Sequence, residues 1–246
     1  HTRPVLIGPV TYLMLGKSAG TDPDPLALLE NILPVYEALL KQLAAAGAEW
    51  VQIDEPTLGL TLDSKQRSAY GRAFARLTAA APKLKLLVAV YFSDLRENLQ
   101  VALAMPVSGL HVDLVRGPDQ LDELIAKIPP EMSLSLGVVD GRNIWKNDFE
   151  GSVQLVWKAV SALGTSRVFV APSCSILHSP VDLDTESALD AEMRSWMAFA
   201  KQKVHEICVI TKAVNRQRDG IANDLVENAQ NRTTRGSSPR IHSPEV

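Results

Sequence analysis

Six short apolar runs punctuate the chain: PVLIGPV (4–10), EWVQID (49–54), KLLVAVYF (85–92), GLHVDL (109–114), SLSLGVV (133–139) and RVFVAP (167–172). Each is bounded by polar, Gly or Pro residues and is rich in β-branched side chains, which predicts strands. The runs are continuously apolar rather than alternating, the pattern of strands covered on both faces of a parallel sheet. Between them the periodicity turns helical. In DPLALLENILPVYEALLKQLAAAG, Asp24 is placed to cap a helix, Pro25 to occupy its first position, Pro34 to kink it and Gly47 to stop it. Further helices fit 64–80, 95–104, 118–128 and 148–163, and a long one fits 185–214. Strand and helix repeated six times imply a parallel sheet with right-handed crossovers, either open and doubly wound or closed into a barrel. No G-x-G-x-x-G or Walker loop follows any strand, so the nucleotide-binding version loses support. From about residue 215 the chain turns polar, and residues 215–246 are expected to be a linker or tail.

Composition narrows the functions rather than the fold. The 246 residues suffice for one large domain or two small ones, and a (β/α) barrel needs about this much chain. A formal charge of -3 with no interleaving of aromatic and basic residues argues against nucleic acid as a partner. The two cysteines, Cys174 and Cys208, are too few for a disulfide framework and fit a reducing cytoplasm. No run approaches the ~20 apolar residues of a membrane span, and HTRPVLIGPV does not read as a signal sequence. The chain begins without methionine at the edge of a strand pattern, which predicts that other sequence once preceded it.

Functional groups of parallel α/β folds gather at the carboxyl ends of the strands, where the loops converge. Polar residues recur there: Asp54-Glu55-Pro56, Tyr91, His111 with Asp113, Asp140-Gly141-Arg142-Asn143, and Ser173-Cys174-Ser175 with His178. Such a series is either a ligand site or the polar rim of any solvent-facing loop. Asp54 and Glu55 place two adjacent acids at a strand end, although adjacent strand residues point to opposite faces and a simple turn at Pro56 accounts for the spacing. His111, Asp113, Cys174 and His178 carry ligand-type atoms. No C-x-x-C or H-x-x-x-H pair anchors a metal, so a structural histidine and a core thiol are the expected roles. A nucleophilic Cys174/His178 pair would need a helix that Pro172 and Pro180 disfavour. His205 and Cys208 read as packing or surface positions, and Trp196, Met197 and Phe199 as one helix face.

The strings PVLIGPVTYLMLGK, AGAEWVQIDEP, GLHVDLV, LSLGVVDGRNIW, VAPSCSILHSPVDLD and LDAEMRSWMAFAKQKVHE resemble, in order and spacing, the N-terminal barrel of cobalamin-independent methionine synthase. That family moves a methyl group from 5-methyltetrahydropteroyltri-L-glutamate to L-homocysteine without cobalamin. The resemblance implies an incomplete (β/α)8 TIM-barrel type of α/β fold with about six βα units. Residues 1–214 would form the partial N-terminal barrel, and 215–246 would lead toward a missing C-terminal catalytic barrel of the same polypeptide. In the family, zinc, homocysteine and most folate contacts belong to that other barrel. The strand that there holds a His-x-Cys pair here reads LLVAVYF, with Val88 and Val90 at the ligand positions. Asp113 and Cys174 fall where the family's carboxylate and second thiolate ligands would lie, and Arg142 where its proton-donating histidine would lie. No metal is therefore expected on this chain. Asp54 corresponds to an acid that contacts the homocysteine amino group in the other barrel. The resemblance implies, as substrate contacts or their vestiges, Asp54, Glu55, Asp113, Asp140, Arg142 and Cys174. The alternative is a stand-alone, non-catalytic module that binds folate or an amino acid, or serves as a scaffold. A self-contained single-barrel enzyme is opposed by Val88 and Val90. Missing strands would leave two sheet edges open, and the isolated chain is expected to be marginal in solution.

Overall fold

The computed structural model describes residues 2–17, 24–216 and 220–241. Six strands appear where the apolar runs lie: β1 Val5–Ile7, β2 Trp50–Asp54, β3 Lys85–Ala89, β4 Gly109–Asp113, β5 Ser133–Val139 and β6 Val168–Pro172. The helices are α1 Pro9–Leu15, α2 Leu29–Ala45, α3 Ser64–Ala80, α4 Leu99–Ala104, α5 Gln120–Lys127, α6 Phe149–Leu163, α7 Ala191–Trp196, α8 Ala200–Val214 and α9 Ala222–Ser237. The sheet order is β1-β2-β3-β4-β5-β6, with the first four strands paired in parallel. A doubly wound sheet reverses its strand order at a switch point, whereas a barrel winds in one direction, so this unreversed order is that of a (β/α) barrel.

The chain divides into two compact units, residues 1–135 and 136–246, with the boundary inside β5. In the first, Val51 and Ile53 of β2, Leu86 to Ala89 of β3, and Leu110 and Val112 of β4 are buried, as are Leu40 of α2 and Tyr70 and Phe74 of α3. β3 and β4 are buried on both faces, as their continuous apolar pattern predicted, whereas β2 leaves Trp50, Gln52 and Asp54 half-buried. The first strand differs. Val5 and Ile7 remain 54% and 48% exposed, and β1 pairs on one side only. In the second unit, β6 is half-buried along its whole length and is likewise an edge.

Four expectations need correction. The run 4–10 is a three-residue strand followed by α1, because Pro9 sits at the first helical position and Glu55 caps the turn. The strand expected over 85–92 ends at Ala89, and Phe92 turns into the left-handed region at φ 73°. The helix expected over 185–214 is two separate helices, α7 and α8. Asp190 starts α7 by accepting from Met193 N at 2.9 Å, and Met197 then leaves the helix to bridge Trp145 in an antiparallel contact. Trp196, Met197 and Phe199 are therefore not one helix face; Met197 and Phe199 pack with Leu183 after α7 ends. Finally, the polar segment after 215 contains α9, whose Asn228 is buried between hydrogen bonds to Phe149 N and Asn147 O. Residues 217–219 and 242–246 of that expected tail lie outside the described residues.

Candidate functional site

In the first unit the carboxyl ends of β2, β3 and β4 carry the predicted acids. Strand alternation separates Asp54 from Glu55. Asp54 stays half-buried, accepting from Gln52 Nε2 at 2.7 Å and from Tyr91 OH at 3.1 Å. Burial raises its pKa, opposed by those two donors and by Arg3. Glu55 turns into the core with no exposed surface. Its carboxylate takes Val10 N at 3.2 Å and Thr11 N at 2.7 Å, two of the amides that α1 cannot satisfy internally. A hydroxyl series continues from Thr11 Oγ1 to Thr57 Oγ1 at 2.6 Å and from Thr57 Oγ1 to Tyr70 OH at 2.8 Å. Burial pushes the Glu55 carboxyl up to about 7 despite these donors. Gly8 makes room for it, since a Cβ there would lie 2.1 Å from the Glu55 carboxyl carbon.

Asp113 ends β4 as a buried acid. Its Oδ2 accepts from Phe92 N at 3.1 Å, and its Oδ1 from Val115 N at 3.0 Å and Arg116 N at 2.9 Å. Three backbone amides thus occupy the carboxylate, and burial still moves its pKa upward. One of those amides belongs to Phe92, whose φ of 73° is strained for a bulky residue. The acid holds the strained turn in place. The β3 end links the two acids in sequence, Tyr91 reaching Asp54 and Phe92 reaching Asp113, while the two rings meet edge to face at 4.7 Å. His111 is buried with Nδ1 2.9 Å from Ser135 Oγ.

In the second unit Asp140 follows β5 and holds the start of its loop, accepting from Arg142 N at 2.8 Å and Asn143 Nδ2 at 2.9 Å. Arg142 is exposed on that loop. Cys174 is buried against Gly141, where an added Cβ would approach its Sγ to 2.9 Å. The hydroxyl of its neighbour Ser173 accepts from Gly141 N at 3.2 Å, and Ser173 N donates to Val139 O at 2.7 Å, so a side chain and the main chain both join the two strand ends. His178 is exposed in a short 3-10 turn. His205 is exposed beside Asp224 at 2.8 Å, and Cys208 is exposed on α8.

A zinc ion requires three or four converging donors. Val88 and Val90 are packed in the core and offer none, and Asp113 is engaged by amides. Among the described residues no group of three or more His, Cys, Asp or Glu is placed to hold a metal. The residues present do not fit the ion.

Sequence reading missed Lys203 and Glu206. Both are buried on α8. Lys203 Nζ donates to Asn143 Oδ1 at 3.0 Å and to Trp145 O at 3.1 Å, and Glu206 Oε1 accepts from Asn147 N at 2.9 Å. A signal existed: Lys203 and Glu206 share the buried stripe of α8 with Val209, Ile210 and Val214, so two charges occupy positions that helical periodicity assigns to the core.

Residues 1–164 match the family described as cobalamin-independent synthase, N-terminal domain. The chain is 49% identical over 246 residues to a 5-methyltetrahydropteroyltriglutamate–homocysteine methyltransferase of Nitrobacter winogradskyi, covering 100% of this chain and 32% of that protein. It is 48% identical over 246 residues to the Mesorhizobium japonicum protein of the same name, with the same coverage. The chain thus spans about a third of the length of the curated relatives it matches. Among solved structures, a putative vitamin-B12 independent methionine synthase from Listeria monocytogenes aligns with a TM-score of 0.59 at 9% identity, over 87% of this chain and 63% of that one. A B12-independent methionine synthase from Shewanella sp. W3-18-1, in complex with selenomethionine, aligns with a TM-score of 0.59 at 14% identity, over 87% and 62%. At those identities the structural likeness shows the fold alone.

Proposed function

The chain belongs to the cobalamin-independent methionine synthase family, and from that premise we propose that it is the non-metal part of a homocysteine methyltransferase. The complete polypeptide would transfer a methyl group from 5-methyltetrahydropteroyltri-L-glutamate to L-homocysteine, with a zinc-bearing catalytic barrel in the sequence this chain does not cover. The observation that carries the reading is the donor set at the β3 and β4 ends. Val88 and Val90 are core residues, and the Asp113 carboxylate is occupied by three amides. The open edges at β1 and β6 support it, since each offers a strand position to further chain. In this reading residues 1–214 are the barrel portion, 215–246 lead toward the catalytic barrel, and the protein works in the cytoplasm.

Among the strand-end groups, the half-buried Asp54 suits a substrate ammonium and the exposed Arg142 suits the carboxylates of a triglutamate tail. Glu55, Asp113, Asp140 and Cys174 shape the loops that present them. The test is methionine formation from homocysteine and the methyl-folate, by this chain alone and by the chain continued through a catalytic barrel of the family. The expected result is no turnover from the first and turnover from the second. Methionine from the isolated chain would overturn the reading.

A further inference from the structure

Burying a cation on a helix is unfavourable unless its donors are satisfied. Lys203 has no exposed surface, although α8 could have closed its core there with an aliphatic residue. Both of its acceptors lie in one short segment, Asn143 Oδ1 at 3.0 Å and Trp145 O at 3.1 Å. One turn further along α8, Glu206 supplies the opposite charge and takes Asn147 N at 2.9 Å. Two charged side chains from one stripe of α8 therefore grip the loop after β5 at three points. Burial depresses the Lys203 pKa, and Glu206, Asp140 and Cys174 act against that shift. The loop they hold is the one whose first turn is tied by Asp140 to Arg142 N.

We infer that Lys203 is a positioning residue: it fixes the shape of loop 140–147 and thereby sets where the Arg142 guanidinium stands for a carboxylate-bearing ligand. The ligand clause rests on the function proposed above, whereas the loop-holding clause stands on the contacts alone. A lysine that merely filled space would leave the loop's order unchanged when replaced by an apolar side chain of similar length.

Hydrogen exchange followed by mass spectrometry on peptides covering 141–147 reads this directly, with calorimetric titration by tri-γ-glutamate as a second readout. In Lys203→Met the loop amides should exchange about 30-fold faster, the loss expected for charge-assisted hydrogen bonds, while α6 peptides keep their protection. Lys203→Arg keeps a cation on the same helix position, should loosen the same peptides by a smaller factor, and carries the test if Lys203→Met does not fold. Triglutamate affinity should fall in step with loop protection. Unchanged loop exchange in the folded variants would overturn the inference whatever the binding data. A loosened loop with no triglutamate binding by the parent chain would leave Lys203 as the loop's anchor and overturn the ligand clause alone, the functional reading being decided separately by the methionine assay.

Discussion

The two units hold their strand-end loops with different sets of groups: acids in the first, and acids joined by a buried lysine and an amide side chain in the second. In residues 1–135, acids at the strand ends hold main chain: Glu55 takes two amides of α1, and Asp113 takes three from the turns after β3 and β4. In residues 136–246, a buried lysine and the amide side chain of Asn228 hold the loop after β5. The contrast shows that most polar groups at these strand ends are consumed in shaping loops. Few remain for a ligand, and a count of acids at strand ends overstates the site.

The heaviest loss in the first unit is expected at Asp113. Asp113→Ala leaves three amides without their acceptor and should cost about 4 kcal/mol in urea denaturation, at one to two kcal/mol per charge-assisted bond. Asp113→Asn, which keeps one acceptor oxygen, should cost less. A loss below about 1 kcal/mol for the alanine variant would mean that the amides find other partners and that the acid is not the anchor.

Next comes the pH dependence that Glu55 imposes. Its pKa is raised to about 7 from 4.5, so between those values the folded chain binds the proton that the unfolded chain has released. Stability from this group is therefore present below about pH 4.5 and declines as pH rises toward 7, by about 3 kcal/mol in all. Glu55→Gln should flatten this part of the stability profile. An unaltered slope between pH 4.5 and 7 would assign the dependence to other groups.

A smaller effect sharpens the second half of the comparison. Asn228→Ala removes the bonds to Phe149 N and Asn147 O and should cost about 2 kcal/mol, with increased amide exchange at 147–149. An equal loss of protection across residues 50–113 would contradict the local role assigned to α9.

Much of the fold was legible because it rests on local patterns. Continuous apolar runs marked all six strands, and α3 and α6 follow their capping residues Asp63 and Asp148. The failures have physical causes. Helix α1 depends on a carboxylate 45 residues away, the break between α7 and α8 on a bridge to Trp145, and α9 on packing that covers a sequence polar enough to pass for a linker. The candidate site was legible as positions but not as roles. Asp54, Glu55 and Asp113 were all visible as acids, yet only the structure separates an acid turned to the rim from one turned into the core and one occupied by amides. Lys203 stands among polar neighbours in KQKVHE, and its burial follows from the loop packed on it.

The proposal that the catalytic metal lies outside this chain stands or falls on zinc content per chain. Elemental analysis after purification from zinc-supplemented medium should return a value near zero. A value near one would mean that this chain builds a metal site of its own, contradicting the assignment of this chain as the non-metal part of the enzyme.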